Sequence, residues 1–126
     1  MSAAAKPFGF RPAEHLRRPS DFRRVYARKR SVSDEWLIIY GCENGLEYLR
    51  LGLSVSSKVG PAVFRNRLRR LYREAFRLTR TSLPTGLDLV LLPRSSDEPD
   101  LVSVKKSLQR LVTMLANKLN REKKSS

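Results

Sequence analysis

The spacing of apolar residues predicts a helix towards each end of the chain. Phe22, Val25 and Tyr26 follow Pro19-Ser20-Asp21 at helical spacing, so we expect a capped amphipathic helix over about 20–29. A second stripe, which predicts a C-terminal helix, contains Val104, Leu108, Leu111, Leu115 and Leu119. The residues that follow, 121–126, have no such stripe, and we expect them to form a polar tail.

Strands are predicted between these helices. The run 36–42 is rich in residues that favour strands, and alternate residues of 49–55 are apolar, as in a half-buried strand. Asn44-Gly45 lies between the two runs and can adopt positive φ, so we expect an antiparallel hairpin. A short strand is predicted over 87–92 and a further one near 30–34. The order α-β-β-(β)-α-β-α indicates one α+β domain.

The longest predicted helix begins at Pro61 and ends near 83–84. Its apolar stripe contains Phe64, Leu68, Leu71, Ala75 and Leu78. At about 100° per residue, the side chains opposite this stripe are Arg69, Arg70, Arg73, Arg77 and Arg80. Arg65 and Arg67 lie on its two flanks. One face of the helix therefore packs, and the remainder is largely arginine.

The net charge of the chain indicates the kind of partner that these arginines would bind. The 126 residues include 26 Lys and Arg against 12 Asp and Glu, a net charge of +14. The positive charge is grouped in 1–30, 58–80 and 101–126, with mildly acidic segments between these blocks. Because such a chain repels itself until an anionic partner neutralises it, nucleic acid or an anionic membrane surface is the expected partner.

The arginine face has two interpretations, a solvated charged surface or a surface that binds RNA. Glu74 is the single acidic residue of this helix, so ion pairs within the helix do not explain the run. The planar fork of arginine binds phosphate oxygens bidentately, and its plane stacks on bases. We therefore favour RNA binding.

The aromatic residues present a similar choice. Phe22 and Tyr26 are one helical turn apart, and Trp36 and Tyr40 lie on the same side of a predicted strand. Such side chains either pack the core or stack unpaired bases beside cations that hold the backbone. Spacing alone leaves both interpretations open.

The remaining polar residues predict no active site. Cys42 is expected to be a buried, inert thiol on a strand, and His15 a surface or packing residue, because each is the single residue of its type. The aspartates, which are expected in caps, turns and strand edges without paired spacing, are Asp21, Asp34, Asp88, Asp97 and Asp100. No apolar run approaches the roughly 18 residues of a membrane-spanning helix, and 1–10 does not resemble a signal peptide. We expect a cytoplasmic protein.

The segment 58–77, with Arg65-Asn66-Arg67 at the start of a long basic helix, resembles the signature of the bacterial ribonuclease P protein subunit. The segments 51–56 and 21–26 are similar to the family too, and the order of elements matches over about 14–118. The resemblance implies an α/β sandwich with a left-handed β-α-β crossover through the long helix, an exception to the usual hand. It also implies a non-catalytic subunit of an endoribonuclease, which binds the catalytic RNA and the 5′ leader of precursor tRNA. The RNA would perform the hydrolysis with Mg²⁺.

The resemblance also assigns residues by position. Contacts to the catalytic RNA are implied for Lys58, Arg65, Asn66, Arg67, Arg69, Arg70, Arg73 and Arg77. A cleft for the single-stranded leader is implied for Phe22, Tyr26 and Tyr40. For the protein itself we expect no catalytic residue, bound cofactor, metal, membrane contact or obligate protein partner. Ser57 and Pro61 depart from the residues usual in the family.

The same resemblance divides the chain into three parts. The family-like domain is expected at 15–119. It follows an N-terminal extension at 1–14, which is longer than the family needs and is expected to be flexible, and precedes a basic tail at 120–126.

Two other classes of protein fit the composition. A ribosomal or other structural RNA-binding protein would bind RNA without accelerating removal of the leader. A membrane-surface module would use the basic C-terminal helix, whose cations include Lys105, Lys106, Arg110 and Lys118.

Overall fold

The computed structural model of the chain describes residues 14–125, and side chains as far as Lys123, so all but the last residue of the expected N-terminal extension lies outside it. Within this range it contains three helices and four strands, in the α+β class that was predicted. The elements are α1 (Pro19–Ala27), β1 (Ser31–Ser33), β2 (Leu37–Glu43), β3 (Arg50–Leu53), α2 (Ala62–Thr79), β4 (Leu87–Pro93) and α3 (Leu101–Ser125). The short strand expected near 30–34 is β1.

The four strands form one sheet in the order β1-β2-β4-β3. β4 pairs antiparallel with β2 and parallel with β3. The expected hairpin is therefore wrong: Gly45 does have a φ of 71°, but β4 lies between the two strands. The reason is the burial of β4 from Leu87 to Leu91, which leaves its backbone groups no water and requires a hydrogen-bonded neighbour on both edges.

β3 and β4 are parallel neighbours, and the chain passes between them through α2. This is the crossover that the resemblance implied. Its left hand stays a prediction.

The larger core lies on one face of the sheet, beneath α2 and α3. All five apolar residues of the predicted C-terminal stripe are buried there, so that stripe is confirmed. At Gly41 of β2 an added Cβ would lie 2.5 Å from a methyl group of Leu115, which shows how closely α3 approaches the sheet. α3 continues to Ser125, beyond the predicted start of the tail, and Glu122 pairs with Arg28 and Arg30.

The buried face of α2 differs from the predicted stripe. The buried residues are Leu68, Tyr72, Ala75, Phe76 and Thr79, whereas Leu78 is 36 % exposed. Tyr72 and Phe76 are the largest fully buried side chains, and their packing rotates the helix away from the orientation that the leucines predicted. The α-helix also ends at Thr79, earlier than predicted, and a 3₁₀ turn (Arg80–Ser82) follows.

A smaller core lies on the opposite face of the sheet, beneath α1. It contains the buried residues Leu16, Val25, Cys42 and Val90. α1 begins at Pro19, which suits the first turn because it has no N–H. The predicted side-chain cap is wrong: Arg18 occupies the N-cap position without a side-chain hydrogen bond, and Asp21 lies inside the first turn. α1 covers only part of this face.

Candidate RNA interface

The predicted contacts to RNA lie on α2 and on the 3₁₀ turn Ser57–Val59 just before it. The exposed members of the set are Lys58, Asn66, Arg67, Arg70 and Arg73, and the half-buried members are Arg65, Arg69 and Arg77. The rotation of α2 explains why Arg65 and Arg69 are half-buried, because it brings their side of the helix closer to the sheet, whereas Arg77 lies on the opposite side beside Glu74, with which it pairs. We name these eight residues, seven on α2 and Lys58 on the turn before it, the α2 surface.

Two arginines of the α2 surface are held by neutral acceptors of the protein. The guanidinium of Arg65 donates to the carbonyl of Gly60 at 3.1 Å, and that of Arg69 donates to Asn66 at 2.9 Å and to the carbonyl of Val55 at 3.4 Å. All these acceptors are neutral, so both positive charges remain unneutralised. The two side chains are fixed in place and still carry their charge outward.

Carboxylates reach two other arginines of this surface. Arg77 forms a bidentate pair with Glu74 of the same helix, at 3.0 and 2.7 Å, and this hydrogen bonding raises the pKa of the guanidinium. Arg67 pairs at 3.0 Å with Glu98, from the loop before α3, and its guanidinium carbon lies 5.9 Å from the centre of the Phe64 ring.

The remaining cations of the α2 surface, Lys58, Arg70 and Arg73, form no ion pair within residues 14–125. Exposed cations without carboxylate partners bind an anion without first giving up a protein contact. Arg70 and Arg73, about one turn apart on α2, and Lys58 just before this helix match a phosphate backbone in charge.

The predicted cleft residues lie together on the other face of the sheet. Phe22 and Tyr26 of α1 and Tyr40 of β2 all pack, half-buried, against the smaller core. The rings of Tyr26 and Tyr40 meet edge to face with their centres 5.0 Å apart. An added Cβ on Gly52 would lie 2.7 Å from the Phe22 ring, so this ring rests directly on the backbone of β3. The aromatic residues therefore both pack and present ring surface to solvent.

One cleft joins Phe22 to the α2 surface, and we name this cleft, together with the rings of Tyr26 and Tyr40 that pack against the same smaller core, the aromatic cleft. Its volume is about 380 Å³, and its walls include Phe22 from α1 and Arg69 and Arg73 from α2. His15 and Arg17 complete the side formed by the N-terminal segment. An aromatic ring beside several cations is an arrangement that stacks a base and holds its phosphate.

The sequence analysis missed a buried carboxylate on the face of the sheet that α1 covers. Asp88, expected at a cap, turn or strand edge, lies fully buried in the central strand β4. Arg50 donates two hydrogen bonds to it, at 2.8 and 2.6 Å, Asn44 donates a third at 2.9 Å, and Arg24 pairs with it as well. Burial by itself would raise the pKa of this carboxyl, but the hydrogen bonds outweigh burial, so the pKa is lowered.

The thiol, possible metal sites and possible membrane-spanning helices were also considered in the sequence, and the structure bears on each. Cys42 is a buried free thiol on β2, as predicted, and burial raises its pKa. Within the described residues, no group of three or more His, Cys, Asp or Glu side chains is placed to hold a metal ion. No helix among these residues combines the length and the apolar character needed to cross a membrane.

Glu98 and Arg17 lie beside the predicted contact residues but were not singled out from the sequence, and His15, expected to be a surface or packing residue, lines the same cleft as Arg69 and Arg73. Glu98 lies 31 residues from the arginine with which it pairs, so only the fold brings them together. His15 forms an isolated parallel bridge to Leu51, which places it at the edge of β3. The one signal for Arg17 was its position in the first basic block.

The sequence was compared with known families. A family model described as Ribonuclease P matches residues 10–116. A relative from Clostridioides difficile, described as ribonuclease P protein component, is 41 % identical over 105 residues, which are 82 % of this chain and 92 % of the relative. Another of that description, from a Thermoanaerobacter species, is 37 % identical over 98 residues, with 77 % and 84 % covered.

Solved structures give the same result at the level of fold. The ribonuclease P protein from Thermotoga maritima matches with a TM-score of 0.72 at 35 % identity, over 79 % of this chain and 94 % of that one. The protein from Staphylococcus aureus matches with a TM-score of 0.69 at 30 % identity, over 80 % and 94 %. Both similarities extend over most of the chain.

Proposed function

The chain belongs to the family of bacterial ribonuclease P proteins, and we propose that it binds the catalytic RNA of ribonuclease P through the α2 surface and the 5′ leader of precursor tRNA through the aromatic cleft. As a member of this family it is the protein component of an endoribonuclease, acts in tRNA processing and has the ribonuclease P RNA as its partner.

The α2 surface is assigned to the catalytic RNA because of its charge. Lys58, Arg70 and Arg73 offer cations without carboxylate partners, and Arg65 and Arg69 are held in fixed positions by neutral acceptors. Asn66 adds an amide that can donate to a phosphate or a base. Because phosphate contacts dominate the affinity of RNA-binding proteins, this surface would supply most of the binding free energy.

The leader is assigned to the cleft because its residues suit a single strand. Phe22, Tyr26 and Tyr40 present aromatic faces, on which unpaired bases of any sequence can stack. The observation that carries the whole proposal is that Phe22 shares one cleft with Arg69 and Arg73 of α2. An RNA bound along α2 and a strand bound across the sheet would therefore meet at this point.

Hydrolysis is assigned to the RNA, with the Mg²⁺ that it binds, and no cofactor is assigned to the protein. Glu14, Asp34 and Asp88, whose side chains are at most 10 % exposed, are all engaged in ion pairs, Glu14 with Arg80. Asp88 accepts bonds from two arginines and an amide, and Asp34 accepts from two backbone N–H groups and pairs with Arg110. These carboxylates stabilise the fold. We place the protein in the cytoplasm with its RNA partners.

The test is cleavage of a precursor tRNA by an in vitro transcribed bacterial ribonuclease P RNA at low Mg²⁺, with and without this protein. We expect the protein to stimulate cleavage and to leave the correct 5′ end. Tight RNA binding without stimulation would instead indicate a structural RNA-binding protein.

The same assay separates the role of the cleft from that of α2. Precursors with a leader of several nucleotides and of one nucleotide are compared, because only the longer leader reaches across the sheet. We expect the protein to increase the affinity of the ribonuclease P RNA more strongly for the precursor with the longer leader. Equal gains in affinity for both precursors would contradict the assignment of the leader to the cleft, and they would not affect the assignment of the α2 surface to the catalytic RNA.

A further inference from the structure

The loop between β4 and α3 carries a cluster of acidic residues in a chain of opposite net charge. The loop contains Asp97, Glu98 and Asp100 and lies beside α2. A groove of about 470 Å³ separates the two elements, with Arg67 and Arg70 on one wall and Glu98 and Asp100 on the other. Negative charge is therefore presented to the surface assigned to RNA.

The loop is anchored so that Glu98 faces Arg67. Pro99 is buried, and the carboxylate of Asp100 accepts the N–H of Ser103 at 2.7 Å at the start of α3. With the two residues after it fixed, Glu98 reaches across the groove and pairs with Arg67 at 3.0 Å. Within residues 14–125, it is the only carboxylate from outside α2 that pairs with an arginine of the α2 surface.

The Arg67–Glu98 pair is exposed, with side chains 53 % and 44 % accessible. Pairs of this kind are weak in water, so the contact is easily exchanged for another anion. Glu98 accepts one hydrogen bond, from Nη2 of Arg67. An RNA phosphate bound through Nη2 would compete for this nitrogen, and a phosphate at the other donors would be repelled by the neighbouring carboxylate.

We propose that Glu98 competes with RNA for Arg67: its carboxylate holds the guanidinium in the free protein and is displaced by a phosphate when RNA binds. The inference rests on the proposed function of the α2 surface. Glu98 therefore sets a penalty that every RNA contact at Arg67 must overcome.

The test measures binding of a bacterial ribonuclease P RNA to the full chain and to Glu98→Gln. We expect the variant to bind about two- to five-fold more tightly, which is the range expected for an exposed ion pair. Asp97→Asn is the matched control, because it removes the same charge from the same loop at an exposed residue whose carboxylate forms no ion pair within the described chain. Equal gains from both variants would overturn the proposal and indicate a general effect of charge.

A second pair of variants tests whether Glu98 acts through Arg67. In an Arg67→Gln background, the effect of Glu98→Gln should disappear, because the contested guanidinium is gone. A gain that persists there, or a loss of affinity in Glu98→Gln alone, would overturn the proposal. Arg67→Gln by itself tests the proposed function. If this change leaves RNA binding unaltered, the assignment of Arg67 to RNA is wrong, whatever Glu98→Gln shows.

Discussion

At the scale of single residues, Asp88 joins elements that are distant in the sequence. Its carboxylate binds Arg24 of α1, Arg50 of β3 and Asn44 of the loop after β2. Because Asp88 is fully buried in the central strand, these partners are held against the middle of the sheet.

The hydroxyl of Tyr72, unlike the carboxylate of Asp88, is a buried polar group without a hydrogen-bond partner in the described chain, and burial raises its pKa.

Replacing Asp88 with Ala should lower the free energy of unfolding by roughly 3 kcal/mol, because the arginines and the amide lose their shared acceptor. Urea denaturation of the two proteins at pH 7 measures this difference. Asp97→Ala, at an exposed residue, is the control and should change stability by less than about 0.5 kcal/mol.

The difference in the free energy of unfolding between the protein and Asp88→Ala should depend on pH. The folded state lowers the pKa of Asp88, so its contribution is complete above the unfolded pKa of about 3.9 and is lost as the pH falls through the lower, folded pKa. The stability difference between the protein and Asp88→Ala should therefore shrink only below about pH 4. A difference that begins to shrink at pH 6, or one that stays constant into strong acid, would contradict this account.

At the scale of elements, α2 performs two tasks with different sides. Tyr72 and Phe76 fill the core, while Arg70 and Arg73 face solvent. The crossover from β3 to β4 fixes the helix against the sheet, which places Arg69 and Arg73 beside Phe22 of α1. The helix therefore links the larger core, the α2 surface and the aromatic cleft.

Replacing Arg65, Arg67 and Arg70 together with Gln should weaken RNA binding and flatten its salt dependence. Each phosphate contact contributes roughly 0.7–0.9 to the slope of log K against log salt, so the slope should fall by about 2 to 3. Fluorescence anisotropy with a labelled ribonuclease P RNA at several salt concentrations measures both quantities.

The matched control for this variant removes three cations from α3, at Lys105, Lys106 and Lys118. It produces the same change in net charge without altering the α2 surface, so it should reduce the slope much less. If both triple variants gave the same slope, binding would depend on overall charge, and α2 would not be the specific contact.

At the scale of the whole molecule, the net charge of +14 opposes folding. Ion pairs offset part of the repulsion, as between Glu122 near the C-terminal end of α3 and Arg28 and Arg30, which lie between α1 and β1. The pair of Glu14 with Arg80 similarly ties the segment before α1 to the turn after α2. The α2 surface keeps cations without carboxylate partners, so an anion bound there should stabilise the folded state.

Low millimolar sulfate should raise the melting temperature, since sulfate binds the folded arrangement of cations more strongly than the unfolded chain. Each kcal/mol of stabilisation corresponds to roughly 4 °C for a chain of this size. Differential scanning fluorimetry, with sodium chloride at equal ionic strength as the reference, measures the effect. The triple α2 variant should show a smaller rise; the same melting temperature in both salts would mean that no anion site is formed.

Local patterns in the sequence predicted most elements, and its charge and motif indicated the family. Period is a local property, so the stripe of α3, a strand at the place of β4 and the extra strand β1 were all predicted, whereas the turn residues Asn44-Gly45 predicted a hairpin that does not form. The motif around Arg65-Asn66-Arg67 identified the family because it combines a specific run of residues with a long basic helix.

Which elements are neighbours depends on how they pack in three dimensions. The insertion of β4 between β2 and β3 depends on burial of β4 on both faces, which no local signal separates from a hairpin. Packing of Tyr72 and Phe76 set the rotation of α2, and hence which arginines turn inward. The pairing of Glu98 with Arg67 and the burial of Asp88 arise between residues far apart in the chain. Such contacts depend on how the elements pack, and that is a property of the whole fold.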